Sequence, residues 1–364
     1  RWFIATLFHW PIAGLFLLCS VIGEMIVWFM GYSPVALNER GSLVVAISGC
    51  DTGFGRDAAV AMARDDGFVV VAGCLRSESV GELKAMGLPN LKPALLDVTN
   101  DASVAGFAKE VEAAVAEKQG RSLHCVINNA GVGSGGSVDW LKMENFKFDM
   151  EVNYFGMIRF TKACLPLLKA AAKRRFRSSS SSSTLPAPSV APRIITVTSM
   201  AGLLPVPFLS PYNASKHAAE AFTACLRMEL KSWGIKVSTC NPSFHTTPLV
   251  TNGHQALERT WKSVDPATKE EYGEGYYAYV AKNSHELMHR HCWDPRHVVD
   301  TLRSAVALTR PRSQYLVGTD ARFVLPLLRQ LPSWVVEGLT LTAGFTLMPP
   351  VAAALRVGAG EGRA

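Results

Sequence analysis

Nowhere in this sequence do two cysteines stand as C-x-x-C, although eight are present (Cys19, Cys50, Cys74, Cys125, Cys164, Cys225, Cys240 and Cys292). Most sit inside apolar runs, as Cys125 does in LHCVINN. That excludes a zinc or disulfide framework and reads as reduced, buried small hydrophobes in a domain facing a reducing compartment. Charge is scarce as well: 18% of the 364 residues are charged, for a formal +7. The one dense basic cluster, 173–177 (KRRFR), lacks the interleaved aromatics that stack bases, so no nucleic-acid partner is expected. With 48% hydrophobic residues the chain can bury a sizeable core. Global disorder is excluded, and an α/β domain of about 200 to 300 residues with appendages is the expectation. No internal repeat is visible.

The ends are apolar. Residues 2–23 carry no formal charge, and the apolar character resumes after Glu24 as far as Tyr32, with Trp2, Trp10, Trp28 and Tyr32 available as interface aromatics. About 20 such residues at about 1.5 Å each cross a hydrocarbon core of about 30 Å. A signal peptide would show a shorter apolar region and a small-residue cleavage site, and neither is clear. A retained membrane anchor over 1–38 is therefore expected, against a cleaved signal or a buried helix. Within the other end, 323–364, residues 323–355 are apolar but broken by Pro326, Pro332, Pro349, Pro350, Arg329 and Glu337. It reads as an interfacial patch on the same bilayer or as packing on the protein's own core.

Between the ends, short β-branched runs alternate with helical apolar spacing, which predicts a doubly wound, mostly parallel sheet over 39–322. Seven strands are expected at 43–47, 69–72, 92–96, 123–127, 194–198, 236–240 and 315–317. Helices are expected at 56–66, 103–118, 142–172, 211–233 and 295–309. Six consecutive serines (178–183) and then Pro186, Pro188 and Pro192 interrupt this order, so 173–193 is read as a solvated insertion.

Directly after the first strand comes Ser48-Gly49-Cys50-Asp51-Thr52-Gly53-Phe54-Gly55. A glycine turn between strand and helix lets backbone approach a pyrophosphate at a helix N-terminus, although a merely structural tight turn uses the same residues. Asp97-Val98 closes the third strand, where an acid can accept from an adenine amine or cap the next helix. Asn128-Asn129-Ala130-Gly131 closes the fourth, with small residues that let a cofactor lie close.

Tyr212-Asn213-Ala214-Ser215-Lys216 opens a long helix, and the spacing puts phenol and ammonium on one face. Y-x-x-x-K is also a frequent accident on helices. Positive charge from Lys216 and an oxidised nicotinamide is expected to lower the tyrosine pKa from about 10 and make Tyr212 a general acid/base. Ser199, at a strand end, can hydrogen-bond the substrate oxygen, and Asn153 can hold a water that continues a proton relay from Lys216.

Taken together, SGCDTGFG, NNAG, Asn153, Ser199, Tyr212 and Lys216 resemble, in order, the glycine loop, strand end and Asn, Ser, Tyr, Lys tetrad of the short-chain dehydrogenase/reductase family. The resemblance spans roughly 43–331. The SGCDTGFG spelling, VAGCL, and the segments 311–315 and 331–334 look like its membrane-bound retinol and hydroxysteroid dehydrogenase branch. It implies a Rossmann fold, a catalytic tetrad of those four residues, and hydride transfer between an NAD or NADP cofactor and an apolar alcohol or carbonyl. It also implies attachment to endoplasmic-reticulum membrane. Cofactor contacts are expected from Ser48, Gly49, Asp51, Thr52, Gly53, Phe54, Gly55, Arg76, Asp97, Val98, Asn129, Ala130, Gly131, Tyr212, Lys216 and Pro242, and a substrate contact from Ser199.

The interval from Asn153 to Ser199 exceeds the family pattern by roughly the length of the Ser/Pro-rich segment, which leaves the tetrad in register. One departure is Ser243, where the family has Gly after the Pro. At the second strand's end stand Cys74, Leu75 and Arg76, with no acid before Glu78. Arg76 argues for NADP; the branch, rich in NAD users with a similar strand end, argues for NAD, toward which the reading leans. Apolar stretches 203–209 and 244–279 are expected to line a cavity for a retinoid, a steroid or another lipid alcohol. Assembly as a homodimer is left open.

Two rival readings come from other classes. His285-Glu286-Leu287-Met288-His289 matches the zinc motif H-E-x-x-H, but no Gly and His complete the longer pattern and the next Glu is Glu337. A solvated helix carrying histidines is preferred, and no metal is expected. The other rival is a nucleotide-binding membrane sensor that has lost its chemistry, against which the intact tetrad speaks.

Overall fold

The computed structural model describes residues 34–180 and 190–340. The expected anchor over 1–38 therefore falls almost wholly outside the described residues, as do 341–364 of the C-terminal segment. Among the described residues no helix is long and apolar enough to cross a membrane.

Seven parallel strands form one sheet in the order β3-β2-β1-β4-β5-β6-β7. They are β1 (Leu43–Ser48), β2 (Val69–Cys74), β3 (Leu91–Leu95), β4 (Ser122–Asn128), β5 (Arg193–Val197), β6 (Lys236–Pro242) and β7 (Gln314–Val317). Every residue of β1, β2 and β4 is buried, as a sheet covered by helices on both faces requires. Alternate side chains feed two cores. Val45, Ile47, Val70 and Ala72 pack on one face with α1 (Gly53–Arg64) and the later helix Arg296–Ala307. Val44, Ala46, Val69 and Val71 pack on the other with α3 (Asp101–Ala116). All seven strands lie within a residue or two of their expected positions.

The helices depart more. α2 (Ser77–Ala85) has little amphipathic pattern and was not anticipated. The long helix expected at 142–172 is α4 (Met143–Met150), a π-helical turn (Glu151–Gly156) and α5 (Met157–Ser180). Because α5 continues to Ser180 and Val190 and Ala191 are buried, only 181–189 of the Ser/Pro-rich segment remain, outside the described residues. α6 (Ser210–Glu229) carries the Y-x-x-x-K pair, started by Pro211 within its first turn.

Between β6 and β7 a helical excursion forms a third, aromatic cluster. It contains α7 (Gly253–Lys262), α8 (Pro266–Tyr272) and α9 (Glu274–His291) and closes around Trp140, Trp261, Val264 and Val280. α10 (Arg296–Ala307) then leads back to β7, and α11 (Ser333–Thr340) follows. The described cysteines are all free; Cys50, Cys74, Cys125, Cys164 and Cys240 are buried, Cys292 is half-buried and Cys225 is exposed.

Candidate active site

The turn between β1 and α1 has room for nothing larger than glycine at two positions. Gly49 holds φ at 72°, and a Cβ there would stand 2.7 Å from Ala130 Cα; a Cβ on Gly55 would overlap Asn129 Nδ2 and the Gly49 carbonyl. The packing is this close because the end of β4 clamps the turn. Asn129 Nδ2 donates to the carbonyls of Ser48 (3.1 Å) and Gly49 (3.0 Å), and Ser48 Oγ accepts the N–H groups of Asn129 (3.0 Å) and Ala130 (3.1 Å).

A cleft runs over this clamp, lined by Gly49, Asp51, Thr52, Gly53, Phe54, Asp97, Val98, Asn129, Ala130 and Gly131. Ser48, Gly55, Arg76, Tyr212 and Lys216, expected as contacts, do not line it. The first two brace its floor from beneath. The residues present fit an extended dinucleotide. The N-terminus of α1 opens at the cleft, side chains are missing where a pyrophosphate passes, and the point where a Cβ on Gly131 would lie is 3.2 Å from Asn153 Oδ1 and 3.4 Å from Lys216 Nζ.

Two acids in the cleft have structural partners too. Asp97 Oδ1 accepts from Thr99 N (2.9 Å) and Thr99 Oγ1 (2.7 Å), so the carboxylate organises the loop while lining the cleft. Asp51 reaches across to the end of β2 and accepts the N–H groups of Leu75 (2.8 Å) and Arg76 (3.0 Å), with Arg76 Nε at 3.5 Å. The second strand lacks an acid of its own, and the glycine turn delivers one there instead.

The four expected catalytic residues converge. Lys216 is buried, donates to the Val197 carbonyl at 3.1 Å, and holds Nζ 5.6 Å from the Tyr212 ring centre, on the same side of α6. Asn153, on the π-helical turn, binds both backbone groups of Val132 at 2.9 Å and donates to Ser215 Oγ at 2.9 Å. Both Nδ2 protons are therefore used, and Oδ1, which takes the Val132 N–H and lies beside Gly131, is the side-chain atom with acceptor capacity left. A π-turn at this position shifts the helix register at one of the expected tetrad residues. Ser199 caps a short 3₁₀ turn through Ala201 N (3.1 Å) and hydrogen-bonds Tyr212.

The expected lowering of the Tyr212 pKa is not met in the protein alone. Burial of its hydroxyl end pushes it up to about 12, with the Asp149 charge adding to the rise and the hydrogen bond with Ser199 opposing it. The phenol nevertheless keeps some exposure on a cavity wall. Burial likewise brings Lys216 down to about 8, against the pull of Glu220 and Asp149. In low dielectric the cost of charging each group outweighs what its neighbours return.

That cavity is the second half of the site. Its walls are mainly apolar, from Val206, Phe208, Leu209, Phe244, Val250 and Leu257, with Ser199 and Tyr212 among the few polar groups. Phe54, Thr247 and Leu249 line both cavity and cleft, so the two adjoin. Pro242 lines the cavity rather than the cleft. Phe208 is the one non-glycine residue with positive φ (65°) among the described residues, and its carbonyl accepts from Gly136 N at 2.8 Å. Ser243 is accommodated because its neighbour across the chain is Gly318, φ 111°, whose missing Cβ leaves room for the Ser243 hydroxyl. The H-E-x-x-H residues lie on α9, where the His285 ring meets His254 edge-on at 6.0 Å. No cluster of three potential metal ligands occurs among the described residues.

Several site residues escaped the sequence reading. Glu220 accepts short hydrogen bonds from Thr198 Oγ1 and Asn241 Nδ2 one turn past Lys216. Its spacing from Lys216 was a usable signal; the reach of Asp51, the burial of Asp149 and the double role of Thr247 were not.

The chain matches the family model described as short chain dehydrogenase over residues 43–258. It is 30% identical to human dehydrogenase/reductase SDR family member 9, across 94% of this chain and 98% of that protein. Mouse retinol dehydrogenase 5 is 33% identical (83% and 90% covered), and bovine 17-beta-hydroxysteroid dehydrogenase type 6 is 31% identical (80% and 86%). Solved structures share the fold: a Burkholderia phymatum short chain dehydrogenase/reductase in complex with NAD aligns at TM-score 0.61 with 22% identity, covering 81% of this chain and 94% of that one. A Burkholderia cenocepacia short chain dehydrogenase in complex with NADP aligns at 0.58 with 21% identity, covering 82% and 97%. A glycine turn clamped under a dinucleotide-shaped cleft, a converged tetrad and these matches lead to one conclusion: the chain belongs to the short-chain dehydrogenase family, the NAD(P)-dependent alcohol dehydrogenases and reductases.

Proposed function

We propose that the protein interconverts an alcohol and a carbonyl on a lipophilic substrate, a retinoid, a steroid or another lipid alcohol. The observation that carries this reading is the apolar cavity that adjoins the nucleotide cleft with Ser199 and Tyr212 on its wall. Apolar walls favour a substrate with little to hydrogen-bond except its reacting oxygen. The names of the retinol and 17-beta-hydroxysteroid dehydrogenases it is similar to point the same way.

In oxidation the substrate oxygen rests between the Ser199 and Tyr212 hydroxyls and Tyr212 takes its proton, with Lys216 and the Asn153 side carrying protons onward. Gly49, Gly53 and Gly131 let the dinucleotide lie close, and Asp97 and Asp51 face its adenosine end. Bound there, a nicotinamide supplies or accepts the hydride. NAD is the favoured partner, because the Asp51 carboxylate stands at the β2 end where an acid accepts from a ribose 2′-OH and repels a 2′-phosphate.

Attachment to endoplasmic-reticulum membrane completes the proposal. It is supported by the apolar residues 2–23 and by Phe323, Leu327 and Trp334, which are 65%, 53% and 73% exposed. The test is a cofactor-reduction assay of detergent-solubilised protein with NAD and NADP against a panel of lipophilic alcohols, beside Tyr212→Phe. Turnover with NAD that falls by about 10² or more in the variant is expected. Equal turnover by both proteins removes the mechanism and favours a sensor.

A further inference from the structure

Asp149 is a fully buried carboxylate that the tetrad chemistry does not use. It accepts from Ser134 N at 2.9 Å and from Ser134 Oγ at 2.8 Å. Ser134 sits between two glycines of the cavity wall: a Cβ on Gly133 would lie 3.2 Å from the Tyr212 ring, and one on Gly135 would lie 3.5 Å from Leu209. On the π-helical turn that follows α4, Asn153 holds Val132, two residues before Ser134, through both of its backbone groups. One helical face thus grips alternate residues of the loop that backs the catalytic phenol, with Asn153 at one and Asp149 at the other.

The charged and titratable groups that interact with Asp149 are Tyr212 and Lys216, both from α6, and Glu220, one turn on, acts on Lys216. The loop 131–136 brings none. On Asp149's own helix Glu144 and Lys147 are exposed, and Glu151 pairs with Arg159 at 2.6 Å.

We infer that Asp149 is a positioning residue of the active site, which fixes the Gly133 wall against Tyr212 and sets, by its buried negative charge, the pH range over which the Tyr212–Lys216 pair works. This rests on the dehydrogenase reading above. The charge opposes formation of the tyrosinate and helps Lys216 keep its proton, and the directions of both shifts agree with that. Asp149→Asn keeps the geometry, since its amide oxygen still accepts Ser134 N–H and its NH₂ can donate to Ser134 Oγ, but it removes the charge.

The experiment compares the pH profile of kcat/KM for alcohol oxidation in wild type, Asp149→Asn and Ser134→Ala. It adds carbon NMR titration of ε-labelled lysine in the cofactor-free protein, with Lys216→Met to assign the resonance. The rising limb is expected to move toward acid by on the order of one pH unit in Asp149→Asn. The Lys216 resonance should titrate at lower pH in the same variant. Ser134→Ala, which keeps the charge, is expected to raise KM without moving the limb. A limb and a lysine titration unmoved in Asp149→Asn overturn the inference, as does an equal shift in Ser134→Ala. Should Asp149→Asn not fold, Asp149→Ser removes the same charge and must give the same two shifts. Absence of turnover in wild type would instead sink the dehydrogenase reading and leave the lysine titration to decide the role of Asp149.

Discussion

The nucleotide half and the substrate half of this site are held by different means. Over β1, β4 and the turn after β1, position is set by backbone: Gly49 and Gly55 exist because a Cβ has no room, and Ser48 and Asn129 lock main-chain groups. The helical excursion over the substrate cavity is held by side chains. Trp140 meets Trp261 at 4.8 Å, Tyr272 at 5.4 Å and Tyr276 at 6.0 Å, and Trp261 Nε1 donates to Glu274 at 3.1 Å. A backbone-held cradle tolerates no change of shape, whereas an aromatic cluster can be retuned without disturbing cofactor binding. The division suits an enzyme with a fixed cofactor and a selectable substrate.

The break with the largest expected effect on nucleotide binding is Gly55→Ala. The added methyl overlaps Asn129 Nδ2 and the Gly49 carbonyl, both themselves held, so a stability loss of about 1–3 kcal/mol and a loss of nucleotide binding are expected in denaturant melts and calorimetry. Normal NAD binding by that variant would show the clamp to be loose. Next comes Trp140→Ala, where truncating a buried ring at the centre of the cluster costs about 3–5 kcal/mol, drawn from the local stability of the excursion. KM for a lipophilic alcohol should rise while the Kd for NAD stays put; if both move together, the two halves are not separate. Asp51→Asn is expected to shift the NADP-to-NAD preference about tenfold toward NADP, read as the ratio of kcat/KM values.

A pH dependence of stability sharpens the account of the buried Tyr212–Lys216 pair. Lys216 is brought down to about 8 from 10.5 by burial, so between those values the unfolded chain binds more protons than the native one. Stability contributed through Lys216 therefore rises as pH climbs from about 8 toward 10, before the opposite effect of Tyr212 sets in. Urea melts across that range should show the slope in wild type and lose it in Lys216→Met.

The same division explains what the sequence disclosed. Strands were legible because buried parallel strands are continuous β-branched runs, such as Val69–Cys74, and the cleft was legible because glycines at fixed spacing report backbone constraint directly. The helix through Asn153 was not, since nothing in EVNYFG distinguishes a π-turn from α-helix. Asp51 bridging to Leu75 and Arg76 needs the fold to bring β1 and β2 together, so an acid at the second strand's end went unseen in the linear reading. The rise in the Tyr212 pKa of the protein alone was not legible, because neighbouring charge is visible in Y-x-x-x-K and desolvation is not. The aromatic cluster joins Trp140 to residues more than a hundred positions away, and no local period announces it.

The central claim is that the Tyr212 hydroxyl moves the proton while a hydride crosses between cleft and cavity. Single-turnover oxidation of a lipophilic alcohol at saturating NAD, followed by nicotinamide fluorescence in wild type and Tyr212→Phe, tests it most directly. The account predicts a hydride-transfer rate about 10² to 10⁴ lower in the variant at saturating NAD. A variant that transfers hydride at the wild-type rate would contradict it.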